Sequence, residues 1–359
     1  MRIRAERDDL VDVLSRAGRA VGARAALPIL QGVLIEVTGK TMRVTGTDLD
    51  VTVRTELEVE VLAAGTTVAP SRLATEAVRK LPPGAVTFQA EGGEIEISGG
   101  GPVFRFREFA ADDFPKLGEP DLKGAVAVDG SAFAAAIGQV SVAASTDDAR
   151  PILTGVFFET EGGRLRMVAT DSYRLAVRDV PAVEASLSGL VPVRALRELT
   201  RTVSAEKIRV AMGDREAAFA SDRGVLTARL IEGSFPNYRQ LIPASYPNQL
   251  RIGRQGLLEA IDRASLVAED HIPIRITLQK GGIELSVTRQ DVGGETEHVE
   301  AEYAGEEMTI AFNSKYLNDG VSAVDDETIV LDVLDPLKPG VLRGAEADDF
   351  RYLLMPVRL

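Results

Sequence analysis

The sequence predicts an α+β protein of three similar domains, each made of two β-α-β-β-β halves. Three observations predict it. Matching segments recur in the same order with a spacing of about 120 residues, the signature of a chain built from repeated units. Segments between Gly-rich turns alternate apolar and polar residues with the two-residue period of half-buried strands. Other segments carry apolar residues at i, i+3, i+4 and i+7, as amphipathic helices do. One helix to about three strands per half is the proportion of antiparallel sheets with helices covering one face.

Each third opens on a helical segment: "RDDLVDVLSRAGRAVG", "GSAFAAAIGQVSVAAS" and "GRQGLLEAIDRASLVA". Each is followed by a related stretch: "ARAALPILQGVLIEV" from Ala23, "DARPILTGVFFET" from Asp148 and "EDHIPIRITLQ" from Glu269. In "DVTVRTELEVEVL", Val51, Val53, Leu57, Val59 and Val61 point one way, and Thr52, Arg54, Glu56, Glu58 and Glu60 the other. "KTMRVTGTD", "GGEIEISGG" and "GGRLRMVATD" alternate in the same manner behind hairpin turns. A second strand, turn and helix follow in "TTVAPSRLATEAVRKLPPG", "GLVPVRALRELTRTVS" and "MTIAFNSKYLNDGVSAV". Leu73, Ala77 and Leu81 mark one apolar helix face, and Leu257, Ile261 and Leu266 another. "DDFPKL", "GSFPNYRQLIP" and "DDFRYLLMP" close the thirds. Pro-bearing breaks at "LGEPDLKGA" and "IPASYPNQL" set the expected domains at 1–119, 124–245 and 248–359.

Composition narrows the chemistry. At 359 residues, 45% apolar and 26% charged, the chain has the make-up of a globular protein with two or three domains. It contains no run of 18 apolar residues, so no membrane span is expected. "MRIRAERDDLVDV" lacks the apolar stretch of a secretory signal, which makes the cytoplasm the default. The absence of cysteine excludes disulfides, thiolate zinc sites and cysteine nucleophiles. His271 and His298 are the only histidines, too few for a multi-histidine metal site and poor material for a Ser-His-Asp triad. No metal and no cofactor are expected.

The net charge of −13 is distributed unevenly. In one helical segment Arg72, Arg79 and Lys80 oppose Glu76; in another Arg194, Arg197 and Arg201 oppose Glu198. The six helical segments together carry about +5, leaving about −18 on the rest of the chain. An acidic body with basic helices fits salt-sensitive contact with nucleic-acid phosphates, blind to sequence. On helix charge, Arg72, Arg79, Arg194, Arg197 and Arg201 are the DNA-facing candidates. With no tryptophan and no aromatic-interleaved basic patch, stacking on single strands is a poor reading.

One stretch invites a catalytic reading. "VATDSYRLAVR" (168–178) packs Asp171, Ser172, Tyr173 and two Arg between apolar residues. The first third already contains "VTGTDLDVTVR" (44–54), with Thr47-Asp48 standing 123 positions before Thr170-Asp171. The repeated Asp, without the Ser, Tyr or following Arg, is better explained as a hairpin-turn residue than as a catalytic acid. No catalytic residue is assigned.

Five stretches taken in order, "LPILQGVLIEV", "TGTDLDVTVR", "TGVFFETEGGRLRMVATDSYRLAV", "EGSFPNYRQLIP" and the closing "MPVRL", resemble the bacterial DNA polymerase III beta subunit, the sliding clamp, over the whole chain. The resemblance implies the DNA clamp fold: a head-to-tail homodimeric ring with helices inside and sheets outside, holding duplex DNA topologically and without sequence specificity. It implies a processivity factor, not an enzyme. Its implied partners are the polymerase III catalytic subunit, the clamp loader and other replication and repair proteins, all bound through short peptides.

Carried over by motif, the peptide pocket comprises Leu153; Thr170, Ser172, Tyr173, Arg174 and Leu175; Pro236, Gln240 and Leu241; Asn313 and Tyr316; and Met355, Pro356, Val357, Arg358 and Leu359. The Leu, Val and Met side chains would form its apolar floor, with Arg174 and Arg358 at its rim. The family carries Gly where Ser172 stands, and a Ser fits an open turn there only if φ is not positive. "DPLKPGVLRG" aligns loosely and contributes no pocket residue. Arg24 matches a position near the family's central hole. Phe104 and Phe106 match its ring contact, with Leu266 and Val267 on the opposite wall, and Arg72, Arg79 and Lys80 facing Glu295, Glu297, Glu300 and Glu302. Two other readings are a peptide-binding scaffold with no DNA role and a second-copy clamp with a specialised role.

Overall fold

The computed structural model describes residues 1–22, 27–181, 186–202, 206–268 and 272–358. Its α-helices are α1 (Arg7–Gly18), α2 (Ser71–Lys80), α3 (Gly130–Ser141), α4 (Val193–Thr202), α5 (Arg254–Ser265) and α6 (Ser314–Ala323). No helix among the described residues is long and apolar enough to cross a membrane. The chain divides into two compact units, Met1–Ala134 with Arg194–Leu230, and Ala135–Val193 with Ile231–Leu359.

The first unit holds two antiparallel sheets. Five strands run in the order Glu60–Ala63, Arg2–Glu6, Ala85–Glu91, Glu94–Ser98 and Val103–Arg107. Eight run in the order Val126–Asp129, Lys207–Met212, Glu216–Ser221, Gly224–Arg229, Val51–Glu58, Thr41–Thr47, Gly32–Thr38 and Gly65–Pro70. Leu10, Val13, Leu14 and Ala17 of α1 and Ala74, Ala77 and Val78 of α2 are buried in one core with Ile35, Phe88 and Ile97. Each fully buried aliphatic or aromatic side chain of this kind contributes about 2 kcal/mol. Asp8 and Asp9 in the first turn of α1 and Arg16 in its last complement the helix dipole. Gly46 lets α1 lie directly on the sheet, since a Cβ there would collide with the Ala17 carbonyl.

The second unit also holds two antiparallel sheets. Nine strands run in the order Ser188–Pro192, Gly155–Glu161, Arg164–Thr170, Arg174–Pro181, Phe350–Leu354, Gly340–Gly344, Thr328–Val333, Asn248–Gly253 and Glu302–Ala304. Four run in the order Gly293–Glu300, Gly282–Arg289, Ile274–Gln279 and Met308–Phe312. Gly320 of α6 sits against the buried Tyr352 ring, where a Cβ would not fit.

The units cut across the repeats, and the pairing of final strands is the reason. The last strand of a half bonds to the last strand of another half: Val51–Glu58 to Gly224–Arg229, with Val225 opposite Arg54, and Arg174–Pro181 to Phe350–Leu354, with Leu175 opposite Leu353. The middle third therefore gives one half to each unit. Two final strands, Val103–Arg107 and Gly293–Glu300, remain as sheet edges among the described residues.

Several elements differ from the sequence expectation. The long alternating strand breaks at Val59, so that Val51–Glu58 and Glu60–Ala63 lie in different sheets. Thr52 and Arg54, expected on the polar face, are buried: Arg54 Nη2 donates to the Gly118 carbonyl at 2.6 Å, and Thr52 Oγ1 lies 2.8 Å from Thr47 Oγ1. Burial pulls the Arg54 pKa down, with Glu119 opposing. On the predicted apolar face of α2, Ala77 and Leu81 are buried as expected, together with Ala74 and Val78, while Leu73 is 56% exposed. Leu266 lies just past α5 and is 86% exposed.

Candidate partner-binding pocket and nucleic-acid face

The turn between Arg164–Thr170 and Arg174–Pro181 is built by two side chains. Thr170 Oγ1 donates to the Arg174 carbonyl at 2.7 Å and accepts from the Ser172 amide at 3.2 Å. Asp171 Oδ1 accepts from the amides of Tyr173 and Arg174 at 2.9 and 3.0 Å, the Asx-turn geometry. These bonds hold Ser172 at φ +82°. The expectation that a Ser here avoids positive φ is corrected: the turn's hydrogen bonds impose a left-handed conformation in which glycine would be unstrained.

Arg174 lies in the interior rather than at a rim. Its Nε donates to Asp171 Oδ2 at 2.9 Å, and its Nη1 to Asp319 Oδ2 at 2.6 Å and to the Tyr352 hydroxyl at 3.3 Å. Its guanidinium carbon sits 4.2 Å from the centre of the Tyr316 ring. Burial opposes its charge, but Tyr352, Asp319 and Asp171 outweigh burial and raise its pKa. Burial pushes the Tyr352 hydroxyl up, with Arg174 opposing. Two carboxylates and an aromatic face thus satisfy the cation, as a buried charge requires.

Around this anchor the structure gathers several of the expected residues. The exposed Tyr173 ring stacks on Tyr316 at 6.4 Å. Tyr316 is held through its amide, which donates to Asn313 Oδ1 at 3.0 Å, and its carbonyl, which accepts from Tyr352 Oη at 3.0 Å. The C-terminal segment is pinned where the Met355 amide donates to the Tyr173 carbonyl and the Val357 amide to the Ala311 carbonyl. Met355 and Val357 expose apolar side chains, Pro356 is half-buried and Arg358 is exposed. Leu359 lies outside the described residues.

Leu175 is buried with Val168, Val177, Tyr238, Val341 and Leu353, and Leu153 is buried behind a 3-10 turn, Pro151–Leu153. Pro236 and Gln240 are exposed and Leu241 is largely so; Gln240 and Leu241 lie on the 3-10 turn Tyr238–Leu241. The sequence reading missed Arg150, Asp319, Val341, Tyr352 and Leu353. Asp319 was findable, since its i+3 spacing from Tyr316 places it on the same helix face. Val341 lies in the loosely matching "DPLKPGVLRG".

The basic candidates fall in three groups. Arg72 and Arg197 are exposed, with no ion pair among the described residues. Arg79 pairs with Glu76 and donates to Ser15 Oγ at 3.2 Å; Arg194 donates to Asp48 Oδ2 at 2.6 Å; Arg201 donates to Glu198 at 3.3 Å. Arg24 lies outside the described residues. Arg72 and Arg79 line a cleft of about 650 Å³ beside α1 and α2, with Arg19 and the exposed Leu73.

Of the expected ring contacts, Phe104 and Phe106 are half-buried on the edge strand Val103–Arg107 and pack against the first unit's core. Leu266 is exposed and Val267 half-buried. On the other edge strand, Glu297 accepts two bonds from Arg263, at 2.8 and 2.6 Å, which hold its carboxyl below the usual range. Burial pushes the neighbouring Glu295 up, with Glu297 adding to it. His298 is exposed on that strand, and His271 lies outside the described residues. Among the described residues no group of three or more His, Cys, Asp or Glu is placed to hold a metal.

Family models of the DNA polymerase III beta subunit match the chain in three consecutive pieces: the N-terminal domain at 1–118, the central domain at 127–237 and the C-terminal domain at 239–358. The chain belongs to the DNA polymerase III beta subunit family. As a sliding clamp it is a processivity factor of DNA replication, tethering polymerase to DNA, and has no catalytic site of its own. It is 32% identical to the beta sliding clamp of Streptomyces coelicolor, with all of both chains covered. The DNA polymerase sliding clamp of Bacillus subtilis superposes with a TM-score of 0.96 at 26% identity, covering 100% of this chain and 99% of that one. The Pseudomonas aeruginosa clamp bound to griselimycin superposes at 0.94 with 27% identity, both chains fully covered.

Proposed function

We propose that this clamp closes head to tail with a second copy around duplex DNA and receives partner peptides beside the turn Thr170–Arg174. The observation that carries the ring is the pair of unpartnered final strands. Among the described residues, four of the six halves pair their last strand within the chain, while Val103–Arg107 and Gly293–Glu300 keep free edges. A free edge is a template for another strand. One belongs to the first third and the other to the last, so joining them between two copies makes a heterologous contact that closes. Their charges are complementary: Arg105 and Arg107 on one strand, Glu295, Glu297 and Glu300 on the other. Phe104 and Phe106 would meet Leu266 and Val267 across the contact.

The exposed Arg72 and Arg197, with Arg24, Arg79, Arg194 and Arg201, would face the DNA and hold it through phosphates. The exposed Tyr173, Met355 and Val357 beside Tyr316 supply an apolar landing for Leu and Phe side chains of partner peptides. Replication in the bacterial cytoplasm, at the nucleoid, is the setting this reading implies.

Light scattering tests the ring: wild type is expected at twice the chain mass and Phe106→Arg at the chain mass. A Phe106→Arg dimer of unchanged mass would sink this interface. Loading onto nicked circular DNA tests encirclement, with the clamp retained on circles and lost after linearisation.

A further inference from the structure

The two strand joins within the chain fix where a third would fall. The Phe109 amide donates to the Val68 carbonyl at 2.9 Å, as the Ile231 amide does to Leu190 and the Val357 amide to Ala311, both at 2.8 Å. Each acceptor stands three positions before a helix, α2, α4 or α6. Val103–Arg107 is thereby the counterpart of Gly224–Arg229 and Phe350–Leu354, with Phe106 in the place of Ala228 and Leu354. On the other side of the join, the hairpins at Thr38–Thr41, Glu161–Arg164 and Gln279–Gly282 share one register. Followed along their second strands, they match Gly294, opposite Thr288, with Thr52 and Leu175. The loop 289–292 has no left-handed residue like Leu49 (φ +80°) or Ser172 (φ +82°), but the strands that flank it correspond. Val51 faces Ala228 and Arg174 faces Leu354. The same join between two copies sets Phe106 opposite Gly293, where open space leaves room for the ring.

Val292, just before Gly293, then takes the place of Asp50 and Tyr173. Two positions into the facing helix, Leu73 takes the place of Ala195 and Tyr316. In the second unit this pair is the Tyr173–Tyr316 stack, with ring centroids 6.4 Å apart. In the first unit Asp50 lies 4.0 Å from Arg194, the neighbour of Ala195. Leu73 and Val292 are both apolar, and within the single chain they are 56% and 62% exposed. We propose that Leu73 of one copy and Val292 of the other form an apolar clasp at each ring seam, in the position of the aromatic stack. The inference rests on the ring reading above. It adds to Phe104, Phe106, Leu266 and Val267 a contact between a helix and a hairpin tip. Two exposed apolar side chains that cover each other leave water together, and that transfer holds the clasp. A head-to-tail ring of two copies has two such seams, so every substitution acts twice.

Sedimentation of the full-length chain over a dilution series reads the dimer Kd. L73A is expected to raise it about hundredfold, roughly tenfold for each seam, the scale of uncovering half of a Leu side chain; V292A should raise it less. Residues in contact are not additive, so adding V292A to L73A should cost less than V292A costs alone. At low salt, L73K combined with V292E should recover affinity that either change loses by itself. A Kd unchanged in L73A, or single effects that simply add, would overturn the clasp. Should L73A fail to fold by circular dichroism, V292A decides in its place, and an unchanged Kd there counts against the contact. A wild-type monomer, or a Phe106→Arg dimer, would overturn the ring reading and the clasp with it. Dissociation by Phe106→Arg with L73A and V292A unaffected would overturn the clasp alone.

Discussion

The turns at 47–52 and 170–175 are the same piece of architecture set in two different surroundings. In the first, Thr47 Oγ1 donates to the Val51 carbonyl at 3.0 Å and accepts from the Leu49 amide at 3.0 Å, while Asp48 Oδ1 accepts from the amides of Asp50 and Val51. The second repeats each bond with Thr170 and Asp171. Even the next strand agrees: the Arg229 amide donates to the Asp50 carbonyl as the Met355 amide does to the Tyr173 carbonyl.

The side chains differ. Val51 is apolar where Arg174 is a buried cation, and Asp48 gives its second oxygen to Arg194 on α4 where Asp171 gives its own to Arg174. Arg229 follows Asp50's turn where Met355 follows Tyr173's. A repeated backbone can therefore be held constant by Thr and Asp while a few outward or cross-strand positions decide what surrounds it.

The largest expected difference lies at Arg174. Arg174→Ala leaves Asp171 and Asp319 without their cation, and should cost about 3 kcal/mol of stability as well as peptide binding. Val51→Ala, the matching change, should cost about 1 kcal/mol and leave peptide binding intact. Urea unfolding midpoints with peptide anisotropy compare the two, and equal costs would erase the distinction between the turns.

Alkaline titration probes the same contrast more gently. Burial and the hydrogen bond to Glu159 push the Tyr238 hydroxyl up to about 12 from its ordinary 10. The folded state holds this proton more tightly than the unfolded chain. Its contribution is thus complete below pH 10 and lost as pH rises toward 12. Leu117 holds the matching place after the first turn, so Tyr238→Phe should flatten the loss of urea stability between those pH values.

The smallest effect concerns the strained residues. Leu49→Gly and Ser172→Gly should each stabilise the protein by about 1 kcal/mol by relieving positive φ. Thermal unfolding checks both, and a gain at only one turn would show that the two backbones are not equivalently strained.

Much of this was legible beforehand. Repeat order, the presence of a helix in "SRLATEAVRK" and the Thr-Asp turn motif could all be read, because each rests on local spacing. The misread residues share one cause. Leu73 was assigned to a buried face from its spacing with Ala77 and Leu81, but what covers α2 is set by the neighbouring helix and sheet. Arg54 was assigned to a solvent face, yet it is buried and donates to the Gly118 carbonyl. Arg174 resembled a rim cation until Asp319 and Tyr352, more than 140 residues away, proved to enclose it.

The sequence by itself determined the threefold repeat, the order of strands and helices, and the family, since side-chain periodicity and turn chemistry are properties of short stretches. The tertiary structure decided which final strands find partners, which two are left as edges, and whether an arginine meets solvent or carboxylates. A strand's own alternation records which face is apolar and says nothing of which backbone will bond to its edge. An ion pair depends on groups that only the folded chain brings within reach.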